Sequence, residues 1–365
     1  MNTSALFTPF ELGQLKLANR TVMAPMTRGF SPNGIPTDDV AEYYRRRAEG
    51  GVGLIITEGT LINHPAATDN TSYPSFFGED ALAGWKKVVD AVHSVGGKIM
   101  PQIWHIGATR RPGTGPVPDA PTASPSGLVS KDKKVFEALT TEEVEGLVAD
   151  YAQAAFDAKE IGFDGVEIHG AHGYLIDQFF WADTNVRTDR YGGSLKARSQ
   201  FAIEIVKAVR ERCGEGFPIV FRWSQWKQQD YTARLTNTPE ELAEFLQPLS
   251  DAGVDIFHCS QRRFWEPEFE GSNMNLAGWT KKITGKPTIS VGSVGLDQEF
   301  LSSFRGEGAD VVNIDKLLEK MNNNEFDLIA IGRALLANAD WVNKIKNGQL
   351  DTLKPFTPDN IAQLL

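Results

Sequence analysis

The sequence predicts an α/β protein built as a single (β/α)8 TIM barrel, with an N-terminal hairpin and long loops after the third and sixth strands. Three observations carry that expectation. Eight short apolar runs recur along the chain with little alternation, as strands buried on both faces require. Amphipathic stretches lie between them. No linker or shift in composition divides the 365 residues, so one barrel domain over residues 1–365 is expected. A doubly wound sheet is the rival, and it lacks a GxGxxG after the first strand.

The strands are expected at residues 21–25, 52–57, 98–102, 165–169, 218–222, 254–259, 287–291 and 326–331. Helical spacing over 80–95 ends at Gly96-Gly97, a pair that tolerates the left-handed exit of a helix. Thr140 and Glu143 read as a capping box for a helix that Gly162 closes. Residues 194–213 form the next helix, closed by Gly214. Thr238 followed by Pro239 opens another. Shorter helices are expected over 297–304 and 334–345, with an extra one at 314–321 inside an insertion spanning 310–324. Loops over 107–134 and 261–282 are long enough to be functional.

Composition narrows the function. Asp and Glu outnumber Lys and Arg 47 to 37, a net charge of −10. Nucleic acid and anionic membrane are poor partners for such a field. Two cysteines, Cys213 and Cys259, are too few for a disulfide scaffold or a four-thiolate cluster. No leader pattern and no apolar run of ~20 residues is present. The expectation is a soluble cytoplasmic protein, monomeric or homo-oligomeric.

Barrel enzymes place their chemistry at the C-terminal strand ends. Gly292-Ser293 follows the seventh strand and Gly332-Arg333 the eighth, where barrels often hold phosphate on backbone N–H groups. Either turn alone reads as a glycine turn beside a surface arginine; the pair at these two strands favours phosphate. His169, His172 and Tyr174 leave the fourth strand together, two imidazoles able to hold one oxygen and a phenol able to supply a proton. A metal pair lacks a third ligand, so no metal is expected, and two structural histidines are the plain alternative. Arg222 closes the fifth strand, and a charge there wants an anionic or electron-rich ligand, or a salt bridge to Glu58 or Glu167. The sixth strand offers only His258 and Cys259. No strand end carries a lysine, which disfavours an aldolase or isomerase acting on a phosphorylated substrate. A flavin-binding protein without turnover is the other alternative.

The order of motifs resembles one family over nearly the whole chain. Residues 6–10 and Asn19-Arg20 open it, and the blocks 23–28, 53–59 and 102–107 follow. The HGAHGYLIDQF block over 169–179, the block over 185–194 and Ile331-Gly332-Arg333 complete it. These resemble the Old Yellow Enzymes, the FMN-dependent NAD(P)H ene-reductases. The resemblance implies tightly bound, non-covalent FMN and NADPH or NADH as reductant. It implies ping-pong reduction of the C=C bond of α,β-unsaturated carbonyl or nitro compounds. It assigns Ala24, Pro25, Met26, Thr27, Gly59 and Gln102 to the flavin ring, Arg222 to its N1–O2 edge, and Gly292, Ser293, Gly332 and Arg333 to its phosphate. His169 and His172 would bind the substrate's activating oxygen, Tyr174 would donate the proton, and Trp104 would shape the pocket. Phe356 would approach the dimethylbenzene edge. His172 stands where many members carry Asn, which bears on substrate preference; Ala108 stands where Arg is common, Lys196-Ala197 where Glu-Asn is usual, and Trp181 where a small residue is usual, and Trp181 with the two long loops bears on pocket shape. One related branch adds an iron–sulfur cluster that two cysteines cannot ligate, so direct reduction by the nicotinamide is expected.

Overall fold

A computed structural model describes residues 2–365. Its strands in chain order are β1 (Phe10–Leu12), β2 (Leu15–Leu17), β3 (Thr21–Met23), β4 (Leu54–Leu61), β5 (Ile99–Trp104), β6 (Leu128–Ser130), β7 (Lys133–Lys134), β8 (Val166–His172), β9 (Ile219–Lys227), β10 (Ile256–Ser260), β11 (Thr288–Val291) and β12 (Leu328–Ile331). Its helices are α1 (Asp38–Glu49), α2 (Glu79–Ser94), α3 (Thr141–Glu160), α4 (Leu175–Phe180), α5 (Leu195–Arg198), α6 (Gln200–Cys213), α7 (Pro239–Ala252), α8 (Leu276–Thr284), α9 (Phe300–Phe304), α10 (Asp315–Asn322), α11 (Arg333–Ala337) and α12 (Trp341–Lys346).

The eight long-range strands β3, β4, β5, β8, β9, β10, β11 and β12 close a parallel barrel, with Met23 of β3 paired to Ile331 of β12. This is the (β/α)8 architecture that the sequence predicts. Successive side chains divide between two cores, as the two-residue strand period requires. Leu54, Ile56, Met100, Val220, Ile256 and Leu328 point inward. Ile55, Ile219, Phe257 and Ile329 point outward against the helices. Phe10, Leu15 and Leu17 of the β1–β2 hairpin join the inner cluster and floor the barrel.

Local chemistry sets the helix ends. The Glu143 N–H donates to Thr140 Oγ1 at 3.1 Å, and the Thr140 N–H donates to Glu143 Oε2 at 2.7 Å, completing the capping box of α3. Several boundaries differ from the sequence reading. The helix expected over 194–213 breaks at Ser199, whose hydroxyl donates to the Leu195 carbonyl at 2.8 Å. The one expected over 334–345 divides at Asn338, whose amide donates to the Lys354 carbonyl at 2.9 Å. The 297–304 stretch is helical only from Phe300. Helices α1 and α8 are absent from the sequence reading; α8 begins inside the expected 261–282 loop, capped by Asn275, and runs two residues beyond it to Thr284. The 107–134 loop contains the β6–β7 hairpin.

Strand β9 continues five residues beyond Arg222, which places Lys227 at a strand end and overturns the expectation that no strand end carries a lysine. Its ammonium lies 2.6 Å from Asp177 Oδ1, both side chains fully buried, so it is held in an ion pair. No helix among the described residues is long and apolar enough to cross a membrane.

Candidate active site

The C-terminal strand ends surround a cavity of about 530 Å³. Of the residues singled out in the sequence, Ala24, Pro25, Met26, Thr27, Gln102, Trp104, His169, His172, Tyr174, Arg222, Gly292, Ser293, Gly332 and Arg333 all line it. Gly59 does not. A Cβ at Gly59 would lie 2.5 Å from the Trp104 ring, so this glycine admits the indole and touches the cavity only through it.

At one end, β11 and β12 deliver the two glycine turns. Gly292 has φ 140°, and a Cβ there would meet the Gln261 carbonyl at 2.5 Å. Ser293 sits in the left-handed region at φ 53°, its hydroxyl donating to the Arg262 carbonyl at 3.0 Å. The Arg333 guanidinium is not a free surface charge. It donates to the Glu299 carbonyl and to Ser303 Oγ, both at 3.0 Å, and lies 5.5 Å above the Phe356 ring. Burial lowers its pKa to about 10, so it stays cationic at neutral pH. Phe356 is fully buried beneath it and does not line the cavity, contrary to the role that the family resemblance implies.

Arg222 and Gln102 rise from the barrel interior. Gln102 Nε2 donates to Glu167 Oε1 at 2.8 Å, and the other Glu167 oxygen lies 2.7 Å from His258 Nδ1. Glu58 accepts the Arg28 and Gly29 N–H groups at 2.8 and 3.0 Å. Both carboxylates that were candidates to pair with Arg222 are therefore committed elsewhere. Among the described residues Arg222 has no hydrogen-bond or ion-pair partner, and its Nε is buried without one. Burial lowers its pKa, with the Glu167 charge acting in the opposite sense.

At the other end, β8 turns through His172 at φ 66°. His169 Nδ1 accepts the Ala171 N–H at 3.3 Å, which leaves Nε2 as the donor. His172 Nε2 lies 2.8 Å from Ser260 Oγ, and its ring stacks on Trp226 at 4.4 Å. The two imidazoles stand 5.1 Å apart and nearly perpendicular. Burial, reinforced by the Arg222 charge, drives both well below the ordinary histidine range, so both are neutral at pH 7. Tyr174 packs edge-on against Trp104 and His169, at 4.9 and 5.1 Å. Its hydroxyl accepts Gln228 Nε2–H at 2.7 Å, and burial pushes the phenol up to about 12.

The sequence reading missed Ser260, Trp226 and Gln228, which lie beyond the strand ends it drew for β9 and β10. The mixed run Trp223 to Trp226 was the available sign that β9 continued. Trp181 is buried away from the cavity, so it does not shape the pocket. Among the described residues no group of three His, Cys, Asp or Glu side chains could hold a metal, and Cys213 and Cys259 are buried and free.

The family model for the NADH:flavin oxidoreductase / NADH oxidase family matches residues 5–352. The chain belongs to this family, the Old Yellow Enzymes. It is 34% identical to an NADH oxidase of Thermoanaerobacter brockii over 98% of its own length, and it spans only 53% of that relative. It is likewise 34% identical to a putative 12-oxophytodienoate reductase 2 of Oryza sativa subsp. japonica, covering 92% of this chain and 85% of the other. The solved structure of morphinone reductase in complex with tetrahydroNAD has 30% identity and a TM-score of 0.80, over 98% of this chain and 93% of that one.

FMN is the Old Yellow Enzyme cofactor, and the cavity fits it. The unpartnered Arg222 cation suits the electron-rich pyrimidine edge of the ring. A side chain at Gly292 would clash with the Gln261–Arg262 backbone, so glycine is required there. Among the described residues the backbone N–H groups of Gly292, Ser293, Gly332 and Arg333 have no backbone acceptor and could meet a phosphate beside the Arg333 cation. With Gln102 Nε2 spent on Glu167, its Oε1 remains an acceptor for a ring N–H.

Proposed function

We propose that this chain is an FMN-dependent NAD(P)H oxidoreductase that reduces the activated C=C bond of α,β-unsaturated carbonyl or nitro compounds. Residues 1–365 serve as one FMN-binding barrel domain, acting in the cytoplasm on a small molecule and, given the net charge of −10, without nucleic acid. The supporting observation is the convergence of His169, His172 and Tyr174 on the same cavity as unpartnered Arg222.

The bound flavin would supply hydride to the substrate's β-carbon. The protein supplies the rest. Neutral His169 has its Nε2–H free for the carbonyl or nitro oxygen, and His172 flanks it on the Trp226 face. Donors fixed before the reaction favour the negative charge that grows on that oxygen. Arg222 would favour negative charge on the pyrimidine edge of the bound flavin. Tyr174, its phenol raised to about 12, holds its proton at neutral pH and delivers it to the α-carbon. Trp104 and Trp226 wall the space and exclude water.

The aldolase-like alternative is not supported, because Lys227 is locked to Asp177 and does not line the cavity. The decisive test is Tyr174→Phe in stopped-flow half-reactions. Reoxidation by 2-cyclohexenone should slow by about 100-fold or more, while reduction by NADPH stays within a few-fold. Equal slowing of both halves would remove Tyr174 as proton donor.

A further inference from the structure

Three consecutive residues at the end of β9 grip the turn that carries His172 and Tyr174. Lys227 pairs with Asp177 Oδ1, and Asp177 Oδ2 accepts the Gly173 N–H at 2.7 Å. Gln229 Nε2 donates to the Gly173 carbonyl at 3.1 Å. Between them, the Gln228 N–H donates to the His172 carbonyl at 3.3 Å, which fixes its backbone beside the turn. Only Gln228 of the three lines the cavity, and there its side-chain amide meets the Tyr174 hydroxyl at 2.7 Å.

That contact constrains a proton. A phenol has one O–H and two acceptor positions. Conjugation keeps the O–H near the ring plane, which leaves it two orientations. The Tyr174 ring is itself wedged by Trp104 and His169, so these orientations are fixed in space. An N–H donor on one side of the oxygen leaves the proton the other.

We propose that Gln228 is a positioning residue for proton transfer: its amide N–H occupies one side of the Tyr174 oxygen and turns the phenol proton toward the bound alkene. The inference rests on Tyr174 being the proton donor. In the step, the Tyr174 O–H bond breaks, and the electron pair at the substrate α-carbon takes the proton to form a C–H bond. The phenolate left behind keeps the Gln228 N–H as its donor until water returns a proton. An N–H bonds more strongly to that phenolate than to the phenol, so the amide favours the transfer as well as aiming it.

The test uses the holoenzyme and 2-cyclohexenone in the reoxidation half-reaction, each variant compared with wild type at the same pH. Gln228→Leu should slow reoxidation on the order of tenfold, the loss of one donor to a charged oxygen, and leave reduction by NADPH within twofold. Gln228→Glu keeps the shape but, as a carboxylate, can only accept. It should be as slow as Gln228→Leu at pH 8 and recover as the pH falls through about 4.3, below which the protonated acid donates. In a Tyr174→Phe background Gln228→Leu should cause no further slowing. The ¹³Cζ resonance of Tyr174, assigned by its loss in Tyr174→Phe, should move in Gln228→Leu. A Gln228→Glu enzyme at wild-type rate at pH 8 overturns the proposal, because a filler of the same shape would then suffice. So does a Gln228→Leu loss that persists undiminished without the Tyr174 hydroxyl, or an unmoved resonance. Unchanged reoxidation in Tyr174→Phe alone overturns the donor reading and this inference with it.

Discussion

The floor and the roof of this barrel are built from the same eight strands and filled with opposite chemistry. Below, Leu54, Ile56, Val220 and Ile256 meet Phe10, Leu15 and Leu17 of the hairpin in an apolar plug. Above, the inward positions become Gln102, Glu167, Arg222 and His258, which share hydrogen bonds with one another or find none. On β5, β9 and β10 a step of two residues, from Met100 to Gln102, Val220 to Arg222 and Ile256 to His258, exchanges stability for function. The floor is satisfied by the protein alone, whereas the roof holds a cation that only a ligand can satisfy.

Breaking the floor should therefore cost stability and leave the ligand site intact. Phe10→Ala is expected to lower unfolding stability by about 3–5 kcal/mol, read in urea titrations, with FMN affinity within twofold of wild type. A comparable loss of FMN affinity would show that the two regions are coupled.

Glu58, on β4 but outside the cavity, should make stability respond to pH where the apolar floor does not. Burial pushes the Glu58 carboxyl up to about 7 from its ordinary 4.5, against two backbone N–H donors and Arg28, which pull it down. The folded state then binds this proton more tightly than the unfolded chain, so stability falls as pH rises through that window. Relative to Glu58→Gln, wild type should lose roughly 3 kcal/mol between pH 4.5 and 7. Parallel stability curves for the two proteins would refute this.

The smallest effect sharpens the contrast most, because its two readouts move in opposite directions. Arg222→Met removes an unpartnered buried cation. It should stabilise the FMN-free protein by about 1–2 kcal/mol and weaken FMN binding on the order of tenfold, or about 1.4 kcal/mol. Destabilisation of the FMN-free protein would mean that Arg222 has a protein partner in solution.

The floor was legible in the sequence and the roof only in part, for the same reason. Parallel strands buried on both faces read as unbroken apolar runs, so all eight were visible. Where a strand climbs into the polar roof, the run ends while the strand continues, and β9 was cut short at Arg222. Gln228 could not be found locally, since its partner Tyr174 lies 54 residues away. Helix α1 escaped notice because its buried face mixes Val40, Ala41 and Ala48 with Tyr43, Tyr44 and Arg47, the last with its guanidinium 3.9 Å above the Tyr43 ring. The glycine turns and the His169–Tyr174 block were legible because close backbone approach and local spacing leave a mark in a single sequence. The burial of Phe356 and the commitment of Glu167 depend on tertiary neighbours, and no local pattern announces them.

The positive φ at His172 has an evolutionary consequence. Left-handed backbone admits few side chains other than glycine, and asparagine, aspartate and histidine are the ones enriched there. The swap of carboxamide for imidazole at this place in the family is thus a choice within a menu that the turn has already restricted. Both choices keep a nitrogen donor. A designer wishing to retune which electrophiles dock here is held to that short menu, since a β-branched residue would strain the chain before it met any substrate.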